Sequence, residues 1–316
     1  MMDLLKLIRV QNLFIIGLTL YLIRYCVILP LAHLSGIDLQ ITDVEFCLMV
    51  FSLVLIGAGG YIINDYFDTQ VDRRNKRYRN VVGKTIKRRV AMAMHIVVNA
   101  IGILIGVYLS YHFQSYYLGL INICYATLLW FYSTHFKHQP LIGNVLISLL
   151  TGLLPLIVAV YELPLILDAY IDGGALIKTH ISYMFFFLLG FSVFGFLTNL
   201  IREIIKDMED IRGDLYVGSK TLPITIGIRN TKTVLVILIL VTLVLLAYVQ
   251  SIFHFELISF FYFLLLVQLP LLFFTVRLLS GNSRKDYHLI SQGLKLVMIS
   301  GILFSLVLKY QLPFLI

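Results

Sequence analysis

Charge is scarce in this chain. Of its 316 residues only 13% are Asp, Glu, Lys or Arg, against roughly a quarter in a soluble globular domain. That shortfall excludes a water-soluble globule: with 59% hydrophobic residues and a mean hydropathy of +0.92, there is more apolar surface than a core of its own can bury. Cysteine is nearly absent as well. Cys26, Cys47 and Cys124 lie in or beside apolar stretches without C-x-x-C spacing, which excludes a disulfide framework and a structural zinc site. Acidic residues are outnumbered, 17 against 25 basic ones, for a net charge of +8. In a membrane protein that excess belongs first to cytoplasmic loops, so no nucleic-acid partner is implied.

What the chain has in abundance is long apolar runs. Crossing a hydrocarbon core of about 30 Å takes roughly 17 to 25 residues of helix. Nine runs qualify: 12–34, 44–64, 90–110, 116–132, 141–161, 181–200, 234–250, 257–275 and 290–308. The expected fold is all-α, a polytopic membrane bundle of nine transmembrane helices making one domain over residues 1–316. With the N-terminus inside, alternate loops on that side gather 21 of the 25 Lys and Arg. The positive-inside bias then sets the N-terminus in and the C-terminus out. The first run, flanked by Lys6 and Arg9 and followed by no small-residue cleavage site, reads as a retained signal anchor.

Two segments on the inner side open with acidic ladders. One runs Asn64-Asp65-Tyr66-Phe67-Asp68-Thr69-Gln70-Val71-Asp72 and the other Asp207-Met208-Glu209-Asp210-Ile211-Arg212-Gly213-Asp214. Both set Asp at i, i+3 and i+7, which share one face of an α-helix. Two carboxylates roughly 6 Å apart at an effective dielectric near 20 repel by about 3 kcal/mol, and a charge deep in the bilayer costs about 2.5 to 3.5 kcal/mol more. A cation between them removes both penalties. Hard oxygen ligands at a membrane boundary suit Mg2+, which bridges carboxylates to phosphate oxygens, so the ladders imply a diphosphate held through Mg2+. Solvated helix caps that balance the basic loops explain one such run; two matched runs at equivalent helix ends are harder to explain that way. Arg73, Arg79 and Lys84 follow the first ladder, and Arg202, Lys206 and Lys220 surround the second. Such donors bind the remaining oxygens of a polyanion and stabilise it as a leaving group. Intramembrane carboxylates also mark ion paths, and a cation-coupled transporter is the reading from another class. Transporter sites lie near the midplane in broken helices, whereas these carboxylates cluster at one interface.

These residues resemble the UbiA superfamily of intramembrane prenyltransferases. The N-D-x-x-D-x-x-x-D signature is matched at Asn64, Asp65, Asp68 and Asp72. The second ladder, with a basic-T-L-P run after it, is matched at Asp207, Asp210, Asp214 and Lys220-Thr221-Leu222-Pro223. The resemblance implies a helical bundle around a central cavity with a cytoplasmic-side cap. There the six Asp residues bind Mg2+ and Asn64, Arg73, Arg79, Lys84, Lys206 and Lys220 bind a polyprenyl diphosphate, whose tail meets membrane lipid. A Tyr followed by Lys after the fourth span resembles Tyr132 and Lys137, with one residue more between them than the compact Y-x-x-x-K form. Lys137, Tyr132 and Arg202 are the expected catalytic residues. The proline-containing N-x-P-x-R-P-L of quinone-type members is missing; residues 75–84 lack both prolines. The segment is closer in flavour to the digeranylgeranylglyceryl phosphate synthase-like branch.

The chemistry implied is transfer of a polyprenyl group to a lipid-soluble acceptor. An allylic diphosphate ionises when metal and cationic side chains stabilise the departing diphosphate, and the electron-rich acceptor attacks the cation while water is kept out. A prenylglyceryl phosphate hydroxyl, giving an ether lipid, is the favoured acceptor, with an aromatic quinone precursor such as 4-hydroxybenzoate or a naphthoate as the alternative. Gly57-Ala58-Gly59-Gly60 sits inside a span with no strand before it and reads as close helix packing. His135 and His138 lack a third ligand nearby and read as interfacial anchors. Arg24 and Lys295 within spans read as snorkelling or paired, Asn144 and Asn199 as polar groups near span ends, and Asn144 as either a substrate contact or a helix bridge.

Overall fold

The computed structural model describes residues 2–69, 81–170, 174–253 and 257–315. Asp72, Arg73 and Arg79 lie outside them. Among the described residues the chain is helical, with one isolated bridge between Val82 and Ile86. Among the described residues seven helices are long and apolar enough to cross a membrane: Val10–Leu34, Asp43–Phe67, Arg88–His112, Ile177–Tyr216, Gly227–Ser251, Leu257–Ser280 and Arg284–Leu312. The pair Ile142–Gly152 and Leu154–Ala169, bent by 43°, makes an eighth if counted as one span. The count of nine is not confirmed among the described residues. Of the apolar run 116–132, Tyr116–Phe131 is α-helical and continues directly into a π turn, Tyr132–Phe136.

Local sequence explains where these helices start and bend. Thr42 accepts from the Glu45 backbone N–H while the Glu45 carboxylate accepts from the Thr42 N–H, a capping box that opens Asp43–Phe67. Leu29-Pro30 and Leu269-Pro270 each follow a five-residue π turn, Arg24–Ile28 and Leu264–Gln268. Proline has no N–H to give the preceding turn, and a widened turn absorbs that loss without ending the span.

The chain forms two compact units. The first comprises Met1–Leu18, Ile41–Ile147 and Arg212–Lys220. Its centre is Asp43–Phe67 packed on Arg88–His112 and Tyr116–Phe131. The glycine run does what close packing requires: a Cβ on Gly59 would lie 2.1 Å from the Asn99 side chain, and one on Gly60 would lie 2.9 Å from Leu129. Asn122 donates to Ser52, whose hydroxyl donates to the Gly102 carbonyl at 2.6 Å, a polar stitch between helices in an apolar setting.

The second unit comprises Thr19–Gln40, Ser148–Ile211 and Thr221–Ile316. Here Arg24, expected to snorkel or pair, is paired: its Nε lies 2.8 Å from Glu162 Oε1, with the two side chains 2% and 0% exposed. The fifth apolar run was expected to stop at Tyr161, but the helix continues to Ala169 and carries Glu162 inward. Asn199 donates to Ser148 and Thr151 at 3.4 Å, so it bridges helices. Gly227–Phe253 turns Ile237, Leu240, Val241, Val244 and Tyr248 outward. Such an apolar exterior fits a lipid boundary.

Candidate active site

The first ladder begins at the C-terminal end of Asp43–Phe67. The α-helix ends at Phe67 with Asp68 as its C-cap, so the helical-face expectation covers Asn64 and Asp65, and Asp68 sits where the helix stops. Asp65 and Asp68 are both buried. Asn64 Nδ2 donates to Asp68 Oδ2 at 2.9 Å. Lys137 Nζ donates to Asn64 Oδ1 at 2.9 Å and pairs with Asp68. Asp68 Oδ1 is buried with no hydrogen-bond partner. A buried carboxylate oxygen left unpaired is costly, and it is the kind of hard oxygen that Mg2+ takes.

A π turn explains how Lys137 arrives there. Tyr132–Phe136 is π-helical, and the Lys137 N–H donates to the Tyr132 carbonyl at 2.9 Å, an i to i+5 bond. An α-turn would close at i+4, so the extra residue in Tyr132-Ser133-Thr134-His135-Phe136-Lys137 is taken up by one wider turn. Tyr132 itself is half-buried. His135 is exposed, and its ring meets Thr134 and Phe131. His138, expected only as an anchor, shares a 2.8 Å hydrogen bond with Ser219. Burial and the neighbouring Lys137 hold its imidazole below the ordinary value, against an opposing pull from Asp68.

Arg9 is a residue that sequence reasoning missed. It was counted only toward topology, yet its Nη2 donates to Asp65 Oδ1 at 2.7 Å and its guanidinium lies over the Tyr61 ring. Burial works against its charge, but Asp65, Tyr61 and Asp68 together hold it above the ordinary guanidinium value. Nothing in the sequence separates Arg9 from any other basic residue before a first span. Leu7 packs with Ile62, Val82 and Ala91, which seats the segment beside the helix that ends in the ladder. Lys84, an exposed residue, stands in the turn from Val81 to Ile86, whose Val82 belongs to that same cluster.

The second ladder lies within the single helix Gly174–Tyr216, so Asp207, Asp210 and Asp214 do share a helical face. Asp207 and Asp210 are half-buried and Asp214 is buried. Arg284 lies 3.5 Å from Asp210, and His288 bonds Glu209 at 3.0 Å; neither residue was singled out from the sequence. Arg202 and Lys206 share one carboxylate, although Arg202 Nε stays buried without a partner. Both bond Glu203, at 2.8 Å and 2.7 Å, a carboxylate the sequence reading passed over. Lys220 is exposed, and its backbone N–H donates to the His138 carbonyl at 2.9 Å. Among the described residues no three His, Cys, Asp or Glu side chains converge as a metal centre; Asp72 is outside them.

Residues 16–299 match the UbiA prenyltransferase family. Over 220 residues the chain is 30% identical to digeranylgeranylglyceryl phosphate synthase of Sulfurisphaera tokodaii, covering 68% of this chain and 70% of that protein. It is 34% identical over 187 residues to the protein of the same name from Methanothermobacter thermautotrophicus, covering 58% of each, less than two thirds of that relative's length. A solved chain described with digeranylgeranylglyceryl phosphate synthase in membranes shares the fold with a TM-score of 0.61 at 23% identity, covering 96% of this chain and 98% of that one. A UbiA homologue from Archaeoglobus fulgidus bound to DMAPP and Mg2+ gives 0.58 at 17% identity, covering 98% and 99%.

Proposed function

This chain belongs to the UbiA prenyltransferase family, and from that premise we propose that it transfers a polyprenyl group from an allylic prenyl diphosphate to the hydroxyl of a prenylglyceryl phosphate. Family membership makes it a prenyl-transferring membrane enzyme, not a cation-coupled transporter. The acceptor is supported by the relatives, which are named for synthesis of a digeranylgeranylglyceryl phosphate. We take residues 1–316 as one prenyltransferase domain.

The observation that carries the reading is Lys137 held on Asn64 and Asp68 while Asp68 Oδ1 stays buried without a partner. Asp65, Asp68, Asp72, Asp207, Asp210 and Asp214 would hold Mg2+, which when bound neutralises diphosphate charge. Lys137 donates to a phosphate oxygen and stabilises the leaving group as the allylic C–O bond breaks with its electron pair on the diphosphate. The acceptor hydroxyl oxygen then bonds the allylic carbon and gives up its proton to the departed diphosphate. Phe67, packed edge-on against Tyr66 beside the ladder, offers a π face to the allylic cation, whereas Arg88 covers a face of the Tyr66 ring, 4.5 Å from its centroid. Lys206 is held by both oxygens of Glu203, whereas Arg202 meets Glu203 through Nη1 and keeps a buried Nε without a partner, which makes Lys206 the more conditional of the two expected donors.

Incubation of the purified protein with Mg2+, a labelled prenyl diphosphate and a panel of geranylgeranylglyceryl phosphate, 4-hydroxybenzoate and a naphthoate tests the reaction. The expected product is the ether. Prenylation of an aromatic acceptor alone overturns the acceptor, and no transfer to any of them overturns the reaction.

The charge asymmetry supports an N-terminus in the cytoplasm, a C-terminus outside, and both ladders on the cytoplasmic side. Cysteines introduced in residues 81–87 and 217–221 are expected to react with an impermeant thiol reagent only from the cytoplasmic face, and a cysteine at Gln114 only from the outer face. Reaction of either ladder-side segment from outside reverses the orientation.

A further inference from the structure

Lys137 and Lys220 come from segments 83 positions apart in sequence, and one residue ties them together. His138 follows Lys137 directly. Its ring bonds the Ser219 hydroxyl at 2.8 Å, and its carbonyl accepts the Lys220 N–H at 2.9 Å. Ser219 is buried, and its own N–H donates to the Asp214 carbonyl at 2.9 Å. The connector is therefore continuous from Asp68 through Lys137 and His138 to Ser219 and Asp214, all within the first compact unit.

The same stretch is backbone-constrained on both sides of the bond. Leu141 has φ of 64°, a left-handed conformation that a bulky side chain adopts only when its surroundings enforce it. A Cβ on Gly143 would lie 2.6 Å from the Phe136 carbonyl and 3.0 Å from Lys137 Cα. Gly218, just before Ser219, has φ of 73°. One strained turn, at Leu141, and one glycine turn, at Gly218, meet at one side-chain bond, and neither the resemblance to the family's motifs nor the charge pattern assigns His138 a part in it.

We propose that His138 is a positioning residue that latches the Lys137 turn to the segment after the second ladder, fixing Lys137 and Lys220 at the spacing the diphosphate requires. It acts through its neighbours and touches no substrate. This rests on the reading of Lys137 and Lys220 as diphosphate donors. The His138 carbonyl contact survives most substitutions, so the side-chain bond to Ser219 is the part a variant removes.

The test is a double-mutant cycle on the full-length protein in detergent or nanodiscs. His138→Ala and Ser219→Ala are each expected to raise KM for the prenyl diphosphate by about tenfold, the scale of one lost hydrogen bond, with KM for the acceptor unchanged. The double variant should be no worse than either single one, because both remove the same bond. His138→Asn, whose side-chain amide keeps a hydrogen-bonding group near the Nδ1 position, should recover most of the wild-type KM. Binding of inorganic diphosphate with Mg2+, measured by calorimetry, should weaken in parallel. Additive effects, equal shifts in both Michaelis constants, or lowered thermal stability with both KM values intact overturn the latch. Wild-type protein that binds no diphosphate in Mg2+ overturns the diphosphate reading itself, and the latch with it.

Discussion

Asp68→Asn is expected to lower turnover by about 10²- to 10³-fold, the scale of losing one preorganised electrostatic contact to a leaving group. The amide keeps the size of the carboxylate and can still meet Asn64, so the helix end should stay in place. It loses the charge that holds Lys137 and the oxygen that stands buried without a partner. Mg2+-dependent release of diphosphate from a prenyl diphosphate measures the effect, with circular dichroism and gel filtration confirming helical content and dispersity. A folded variant with near-normal turnover would falsify the assignment of Asp68. Asp210→Asn should fall in the same direction, since on the proposed reading it removes a metal ligand that Arg284, 3.5 Å away, as a cation does not replace.

Glu162→Ala is expected to cost about 3 to 5 kcal/mol of stability, because it strands Arg24 without its counter-ion. Arg24 is 2% exposed, so neither water nor a headgroup is at hand to replace the carboxylate. Against a total of about 5 to 15 kcal/mol for a folded protein, this loss should lower the thermal midpoint in detergent well beyond the effect of a typical outward-facing substitution. Arg24→Met combined with Glu162→Leu should recover most of it, since an apolar pair leaves no buried charge to compensate. A Glu162→Ala variant within about 1 kcal/mol of the parent, an ordinary substitution effect, would show the pair to be solvated or dispensable.

These two predictions differ in how far the sequence led to them. Asp68 was legible because its spacing to Asp65 and Asp72, repeated at residues 207–214, is a pattern that solvated caps do not need. Lys137 was legible through the resemblance of its motif, and the π turn then explained the extra residue. Glu162 was not legible: an acid one residue beyond an apolar run looks like the end of a span, and only the continuation of the helix to Ala169 turned it inward to Arg24. The count of nine spans is left unconfirmed for a related reason. Composition marks an apolar run without fixing whether it makes a full straight crossing, a helix that widens into a π turn as at Tyr132–Phe136, or a pair bent at Leu153.

By itself the sequence determined the solvent this protein folds in, its helical class and the two carboxylate ladders, because lipid burial and helical spacing are written locally in composition and period. Long-range partner choice was decided only by tertiary structure. Arg9 on Asp65, His138 on Ser219 and Arg284 beside Asp210 are pairings of ordinary residues far apart in the chain. A lone basic or polar side chain looks the same in sequence whether it faces water or a ladder, and only packing brings one partner within reach while excluding the rest.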